Sequence, residues 1–130
     1  MIKVKLNSKY KTQMIDITER VKEEVLKKGV THGLCTIFCG HTTASIIFFE
    51  NQDPKLRRDF LASLSHIAPS DGVYTSNDSN PAAHIKAALC GQRVIMPVIN
   101  GQLVLGKWQS IFFCEFDGPR EDREYNIQVI

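Results

Sequence analysis

Short alternating or continuous apolar segments predict eight strands, and three longer segments carry the apolar spacing of helices. In the helical segments apolar residues recur every three or four positions and so share one face, as do Leu56, Phe60 and Leu64. The predicted helices cover residues 18–28, 54–65 and 81–90. The predicted strands cover residues 2–6, 12–17, 34–39, 44–49, 93–99, 102–105, 108–116 and 125–130.

Capping residues mark the ends of the predicted helices. Thr18 is the expected cap of the first helix, and Gly29 follows its last turn. Asp53-Pro54 and Asn80-Pro81 each combine a capping residue with a proline at the first helical position. Gly91 is placed to end the third helix.

The order of the elements, ββα-ββ-αα-ββββ, indicates the fold class. Helices do not alternate regularly with strands, which disfavours a Rossmann or TIM-barrel arrangement. We therefore expect one α+β domain over residues 1–130, with a mainly antiparallel or mixed sheet and helices packed on one face. The Asn100-Gly101 pair predicts a tight hairpin. The polar stretch 66–80 is long for a loop, and long loops are often functional.

Composition narrows the range of partners and compartments. Apolar residues make up 43% and charged residues 23% of the chain, which is ordinary for a globular domain. The net charge is only +2 and the basic residues are scattered, so we expect no nucleic-acid partner and no anionic membrane surface. No apolar stretch is long enough to cross a bilayer and no signal peptide is visible, which predicts a cytoplasmic protein. The four cysteines lack C-x-x-C spacing, and buried free thiols are expected.

Two histidines stand at positions suited to chemistry. His41 lies in a polar loop between two apolar strands, where an imidazole can carry a proton or bind a metal ion. His84 falls in the first turn of the helix capped by Asn80, where the dipole favours a neutral imidazole and free N–H groups favour an anion. The structural alternatives are a turn histidine bonded to the backbone and a histidine that packs at a helix start. His32 and His66 are interpreted as structural.

Carboxylates and an arginine lie together near the end of the chain. Glu115 and Asp117 are two residues apart at a strand end, so the strand period directs both to the same face. Arg120 follows the turn and could bind a phosphate or carboxylate through two hydrogen bonds. A turn with a surface ion pair is the structural alternative. No Walker loop, G-x-G-x-x-G or G-x-S-x-G motif is present. The residues alone thus indicate a candidate polar site at His41, His84, Asp117 and Arg120.

Four ordered motifs resemble those of the YjbQ family. They are H-T-T-A-S followed by E-N within residues 41–51, A-H-I-K-A-A-L-C-G at 83–91, N-G-Q-L-V-L-G-K-W-Q at 100–109, and E-F-D-G-P-R at 115–120. Their number, order and spread across the chain make the resemblance specific.

The resemblance implies an α+β fold, a homotrimer and a histidine site that often holds a metal ion. It also implies the activity of a secondary thiamine-phosphate synthase, which joins a pyrimidine-methyl pyrophosphate to a thiazole phosphate and releases pyrophosphate. His41 and His84 would then have acid–base or metal-binding roles. Asp117 would orient Arg120 or hold a Mg²⁺ that neutralises pyrophosphate. The cofactor- and ligand-binding residues expected beside them are Asn80 and Glu115.

One position departs from the family pattern. Ser76 follows Tyr74 where the family commonly has a further histidine. Zinc sites usually need at least three protein ligands, and only His41 and His84 match. A second function therefore stays open: a non-catalytic trimeric protein that binds a small anion or a metal ion. The expected cofactor is Mg²⁺ or a transition metal, or none, and the expected partner is a small phosphorylated substrate or anion.

The sequence also carries signals of self-association. Trp108 lies among polar residues, and aromatic side chains of this kind are enriched at interfaces. Ala87 and Ala88 are small enough to let a neighbouring chain approach His84. We therefore expect a homotrimer with the site near the subunit boundary. The alternative is a monomer that buries Trp108 in its own core.

Overall fold

Eight strands and three helices make up the chain in the computed structural model, which describes residues 1–130. The helices are α1 (Thr18–Lys28), α2 (Pro54–Ile67) and α3 (Pro81–Cys90). The strands are β1 (Ile2–Leu6), β2 (Gln13–Asp16), β3 (Gly33–Phe38), β4 (Ala44–Glu50), β5 (Arg93–Ile99), β6 (Gln102–Leu103), β7 (Gln109–Glu115) and β8 (Arg123–Val129). The α+β class is confirmed, and all predicted elements are present. None of the three helices has the length and apolar character needed to cross a lipid bilayer.

The strands form two antiparallel sheets. The larger sheet has the order β1-β8-β3-β5-β6, and the smaller sheet has the order β2-β7-β4. The successive strands β3 and β4 therefore belong to different sheets, and the loop between them passes from one sheet to the other. This loop carries His41, so the division of the strands decides where the histidine lies.

Strand β7 lies at the centre of the molecule, and both of its faces are buried. Ile111 and Phe113 point into a core that also contains residues of the larger sheet and of α1. Phe112 and Cys114 point the other way, into a second core with residues of α2 and α3. The period of two along a strand explains this division. The layers are thus the larger sheet, the smaller sheet, and α2 with α3, while α1 contributes to the core between the sheets.

The helix caps confirm two of the three predicted starts. Asp53 accepts a hydrogen bond from the backbone of the first turn of α2, and Asn80 does the same for α3. The prediction that Thr18 caps α1 is wrong, because Ile17 takes that position and makes no side-chain cap bond. Thr18 Oγ1 instead accepts a hydrogen bond from the backbone N–H of Ile111 at 2.9 Å. The threonine therefore fastens α1 to β7.

The three residues that the sequence indicated for self-association differ in their exposure to solvent; they are Trp108, Ala87 and Ala88. Trp108 is 51% exposed, so the alternative that it is buried in the core of its own chain is wrong. The Lys107 ammonium lies 4.8 Å from the centre of the Trp108 ring. Ala87 is fully buried in the core beneath α3, so the expectation that it makes room for another chain is wrong. Ala88 does face outward.

Candidate functional site

A buried ion pair joins the last two strands. Glu115 at the end of β7 is 0% exposed and Arg123 at the start of β8 is also buried. Arg123 donates two hydrogen bonds to Glu115, from Nε to Oε1 at 2.9 Å and from Nη2 to Oε2 at 2.5 Å. Ser8 Oγ donates to Glu115 Oε1 at 2.7 Å, and Thr43 Oγ1 accepts from Arg123 Nη2 at 2.7 Å. We call these four residues the Glu115 cluster.

The carboxylate of Glu115 is ionised in this environment. Burial opposes ionisation, but the hydrogen bonds from Arg123 and Ser8 outweigh it and lower the pKa of Glu115 below its usual value. Both carboxylate oxygens are occupied by donors of the protein itself. The geometry therefore favours a structural role for Glu115, which holds the strand end beneath the candidate site, over direct contact with a ligand.

A second cluster lies at the surface directly after β7. Asp117 Oδ1 accepts a hydrogen bond from Asn80 Nδ2 at 2.8 Å, and Oδ2 accepts one from Arg120 Nη2 at 2.7 Å. The Lys11 ammonium lies 3.5 Å from Asp117 Oδ1. We call Lys11, Asn80, Asp117 and Arg120 the Asp117 cluster. It contains two cations and one carboxylate, and therefore one excess positive charge.

The sequence analysis expects Asp117 either to orient Arg120 or to hold a Mg²⁺ ion, and the geometry of the Asp117 cluster favours one of these roles. Burial opposes its ionisation, but hydrogen bonds from Asn80 and Arg120 lower the pKa of the carboxyl below its usual value. Because both oxygens already accept from nitrogen donors, the arrangement favours the role of orienting Arg120 over that of a Mg²⁺ ligand. The guanidinium of Arg120 is held in place while half of its side chain stays exposed.

His41 is tied to the backbone of β8. Its Nε2 accepts a hydrogen bond from the N–H of Glu124 at 2.9 Å. An accepting Nε2 requires the tautomer with the proton on Nδ1. Burial and the nearby charge of Arg123 lower the pKa of His41, which is therefore neutral near pH 7. The structure thus shows the contact expected of a turn histidine that is bonded to the backbone. The Nδ1–H group of His41 remains as a hydrogen-bond donor.

His84 pairs with a carboxylate that the sequence analysis did not select. Its Nε2 lies 3.3 Å from Asp78 Oδ2, and both side chains are partly exposed. The other oxygen of Asp78 accepts a hydrogen bond from the backbone N–H of Asn80 at 2.8 Å. Asp78 therefore orients the imidazole and braces the start of α3 at the same time. Asp78 belongs to the polar stretch 66–80, just before the cap of α3.

The cap residue Asn80 connects the candidate residues. Its side chain caps α3, which carries His84 one turn later, and also bonds to Asp117, which holds Arg120. His41 joins the same region through β8, next to Arg123. Sequence reasoning missed Ser8 and Lys11, which come from a loop distant in the chain, and Arg123 at the start of β8.

The donor groups of this chain do not form a three-ligand metal site. No group of three or more His, Cys, Asp or Glu side chains is placed to hold a metal ion. The Nε2 lone pair of His41 is used by the Glu124 amide, and His84 faces Asp78 beside a loop that has Ser76 in place of a further histidine. The metal-binding role that the family resemblance implies for His41 and His84 stays a prediction.

Relatives with similar sequences support the same family. The chain is 35% identical over 130 residues to a UPF0047 protein of Methanocaldococcus jannaschii, covering 100% of this chain and 94% of that protein. It is 42% identical over 109 residues to the UPF0047 protein YugU of Bacillus subtilis, covering 83% of each chain.

Solved structures show the same fold. An uncharacterised YjbQ/UPF0047 protein of Clostridium acetobutylicum superposes with a TM-score of 0.96 at 44% identity and full coverage of both chains. A protein of unknown function from Sulfolobus solfataricus gives a TM-score of 0.94 at 32% identity, covering 98% of this chain and 94% of that one. The family model for YjbQ-like UPF0047 proteins matches residues 2–130. The chain therefore belongs to the YjbQ/UPF0047 family.

Proposed function

We propose that this chain binds small phosphorylated molecules at the Asp117 cluster and converts them, with thiamine-phosphate synthesis as the reaction that the family resemblance implies. The observation that carries the proposal is the arrangement of Arg120 and Lys11 around Asp117. Two cations share one carboxylate at the surface, so an incoming phosphate meets excess positive charge and a guanidinium already oriented. Arginine binds phosphate through two parallel hydrogen bonds when its plane is held in this way.

The proposed reaction requires positive charge and hydrogen-bond donors at the leaving group, which Arg120, Lys11 and His84 would supply. A thiazole nitrogen forms a bond to the pyrimidine methylene carbon while the C–O bond to pyrophosphate breaks, and the electron pair leaves with pyrophosphate. Negative charge therefore develops on the leaving group, where oriented cations stabilise the transition state most. Arg120 and Lys11 supply those cations. His84, oriented by Asp78, supplies an imidazole that donates a hydrogen bond or a proton to a phosphate oxygen.

The role of His84 leads to a measurable loss of activity. The His84→Ala variant should reduce the rate of thiamine phosphate formation at least tenfold, because the leaving group loses a polarising partner. The rate is measured with purified protein, the pyrimidine pyrophosphate, the thiazole phosphate and Mg²⁺ in the buffer.

The matched control is His32→Ala, since His32 is exposed in the turn after α1, outside both clusters. Its rate should equal that of the wild type. Wild-type protein without turnover, or a His84→Ala variant with unchanged turnover, would contradict the proposed reaction.

A second candidate function is a non-catalytic protein that binds small anions. It is favoured by Ser76, which stands where the family commonly has a further histidine, and by the modest net charge of +2. Thermal unfolding in the presence of phosphate or pyrophosphate discriminates the two functions. Stabilisation that follows RT ln(1 + [L]/Kd), without product formation, supports this second function.

The assembly expected from the family resemblance is a homotrimer. The exposed Trp108 supports an association surface, because an indole half open to solvent gains by burial against another chain. We expect sedimentation at micromolar concentration to give three times the 14.7 kDa chain mass, and Trp108→Ala to shift the distribution towards smaller species. Phe38→Ala is the control for loss of an exposed aromatic elsewhere. A wild-type mass of one chain would contradict the trimer.

A further inference from the structure

A polar cavity of about 320 Å³ lies at the end of β7 that is remote from the Asp117 cluster. It is enclosed by the end of β2, the start of α1, the residue after β4, and the chain from β6 to the start of β7. Strand β7 runs from Gln109 at the cavity to Glu115, so about 20 Å separates the cavity from the Asp117 cluster. Residues of two motifs identified in the sequence meet here: Asn51 of E-N, and Gly106 to Gln109 of N-G-Q-L-V-L-G-K-W-Q. The proposed reaction uses neither motif.

The charges around the polar cavity balance. Two carboxylates and two ammonium groups line it, from Asp16, Glu19, Lys22 and Lys107. Lys22 Nζ lies 3.3 Å from Glu19 Oε1, whereas Asp16 and Lys107 form no salt bridge. All four residues are exposed, so the rim of the cavity is open to molecules from solvent. The balance of charge favours a neutral ligand, in contrast to the excess positive charge of the Asp117 cluster.

Two buried residues with hydroxyl groups line the same cavity. Thr18 is 5% exposed and Ser110 is 6% exposed. Thr18 Oγ1 accepts a hydrogen bond from the N–H of Ile111 at 2.9 Å, and Ser110 Oγ accepts one from Asn51 Nδ2 at 2.8 Å. A hydroxyl group also has an O–H donor, and neither of these two donates a hydrogen bond to the chain. Because buried donors are normally satisfied, the two hydroxyl groups call for an acceptor in the cavity.

Asp16 adds a hydrogen-bond acceptor next to Thr18. Asp16 Oδ1 accepts a hydrogen bond from the backbone N–H of Thr18 at 2.9 Å, which holds the carboxylate beside this residue. The other oxygen, Oδ2, has no partner in the chain. An acceptor and an O–H donor therefore occupy neighbouring positions, and the complementary ligand edge has an N–H group beside a carbonyl group. Leu103 and Leu105 add apolar side chains to the cavity, against which the face of a flat ring can pack.

We propose that the polar cavity binds a neutral cyclic amide, a flat ring with a carbonyl and an N–H group side by side. The N–H group donates to Asp16 Oδ2, and the carbonyl oxygen accepts from the hydroxyl of Thr18. The hydroxyl of Ser110 donates to a further acceptor of the ring. This site goes beyond the proposed function, because it lies at the other end of β7 and selects an uncharged molecule instead of a phosphorylated one.

Calorimetric titration of the protein with uracil tests the site, and 1,3-dimethyluracil is the matched ligand because its methyl groups replace both N–H donors. We expect the wild type to bind uracil at least tenfold more tightly than 1,3-dimethyluracil, since the second ligand leaves Asp16 Oδ2 without a donor. The Asp16→Asn variant keeps an oxygen for the N–H of Thr18 but replaces Oδ2 with an NH₂ donor, so it should bind uracil at least tenfold more weakly. Asp59→Asn, an exposed residue of α2 outside the cavity, makes the same change in charge and should leave uracil affinity unchanged. Neither variant should alter the affinity for pyrophosphate.

Three results would overturn the proposed site. A wild type that binds neither ligand would mean that the cavity holds only water. Equal affinity for uracil and 1,3-dimethyluracil would mean that ring packing alone accounts for binding. An Asp16→Asn variant with wild-type affinity for uracil would place the ligand elsewhere. The comparison of the two ligands uses the wild-type protein, so it remains decisive even if a variant folds poorly.

Discussion

Replacing Arg123 with methionine is expected to lower the free energy of unfolding by about 3–5 kcal/mol, because it leaves Glu115 as a buried charge without a partner. Glu115 is 0% exposed, so water cannot replace the guanidinium. The variant also removes the hydrogen bond to Thr43 that fixes the loop next to His41. Chemical denaturation of wild type and variant measures the difference in unfolding free energy.

Two further variants isolate the cause of this loss. Arg93→Met removes an exposed arginine of β5 and should cost little. Combining Arg123→Met with Glu115→Gln removes the stranded charge, so the double variant should be more stable than Arg123→Met alone. If the double variant is no more stable, the loss comes from packing and the ion-pair explanation fails.

The pH dependence of stability gives an independent measure of the same pair. The pKa of Glu115 is lower in the folded protein than its ordinary value of 4.5. The unfolded state therefore binds the proton more readily, and the stabilisation is fully present above pH 4.5 and is lost as the pH falls through the folded pKa. The wild type should lose stability below about pH 4.5 more steeply than a Glu115→Gln variant.

The Gly118→Ala substitution is expected to destabilise the protein by about 3 kcal/mol, the upper end of typical overpacking costs. A Cβ at this position would lie 2.1 Å from the carbonyl oxygen of Tyr10 and 2.9 Å from Ser8 Oγ. The backbone of the 7–12 loop would have to move away. Because this loop carries Ser8 and Lys11, the hydrogen bond to Glu115 and the cation beside Asp117 would be displaced together.

Gly106→Ala is the matched control for Gly118→Ala. Its Cβ would meet only the Gln109 side chain at 3.6 Å, an ordinary contact distance. Unfolding temperature and pyrophosphate affinity should both fall in Gly118→Ala and stay near wild type in Gly106→Ala. A Gly118→Ala variant that keeps wild-type stability would show that the loop does not depend on this close approach.

Local sequence signals predicted the helices better than the arrangement of the strands. The Asn80-Pro81 start and the Gly91 stop placed α3 at its observed bounds. The division into two sheets was not predictable, because β3 and β4 are separated by only five residues, and such a connection can be a hairpin or a crossing between sheets. The packing of β7 against two cores determines which sheet each strand joins. No local sequence pattern indicates this packing.

In the candidate site, too, the sequence predicted local contacts but not contacts between distant parts of the chain. The sequence placed Asp117 and Arg120 together because they share one turn, and the structure confirms their contact. Ser8 meets Glu115 across 107 positions of sequence, a separation that no motif spans.

The burial of β7 on both faces predicts that its amides are among the slowest in the chain to exchange with solvent. Strand β7 is paired with β2 and with β4, so its hydrogen-bonded amides exchange with solvent only when a neighbouring strand separates, which also disrupts the packing of Phe112 and Phe113 in the two cores. A ligand that holds α3 against the smaller sheet binds the closed state alone, so it raises the free energy of that opening by RT ln(1 + [L]/Kd). We therefore expect a ligand bound at the surface to increase hydrogen-exchange protection in the centre of the molecule.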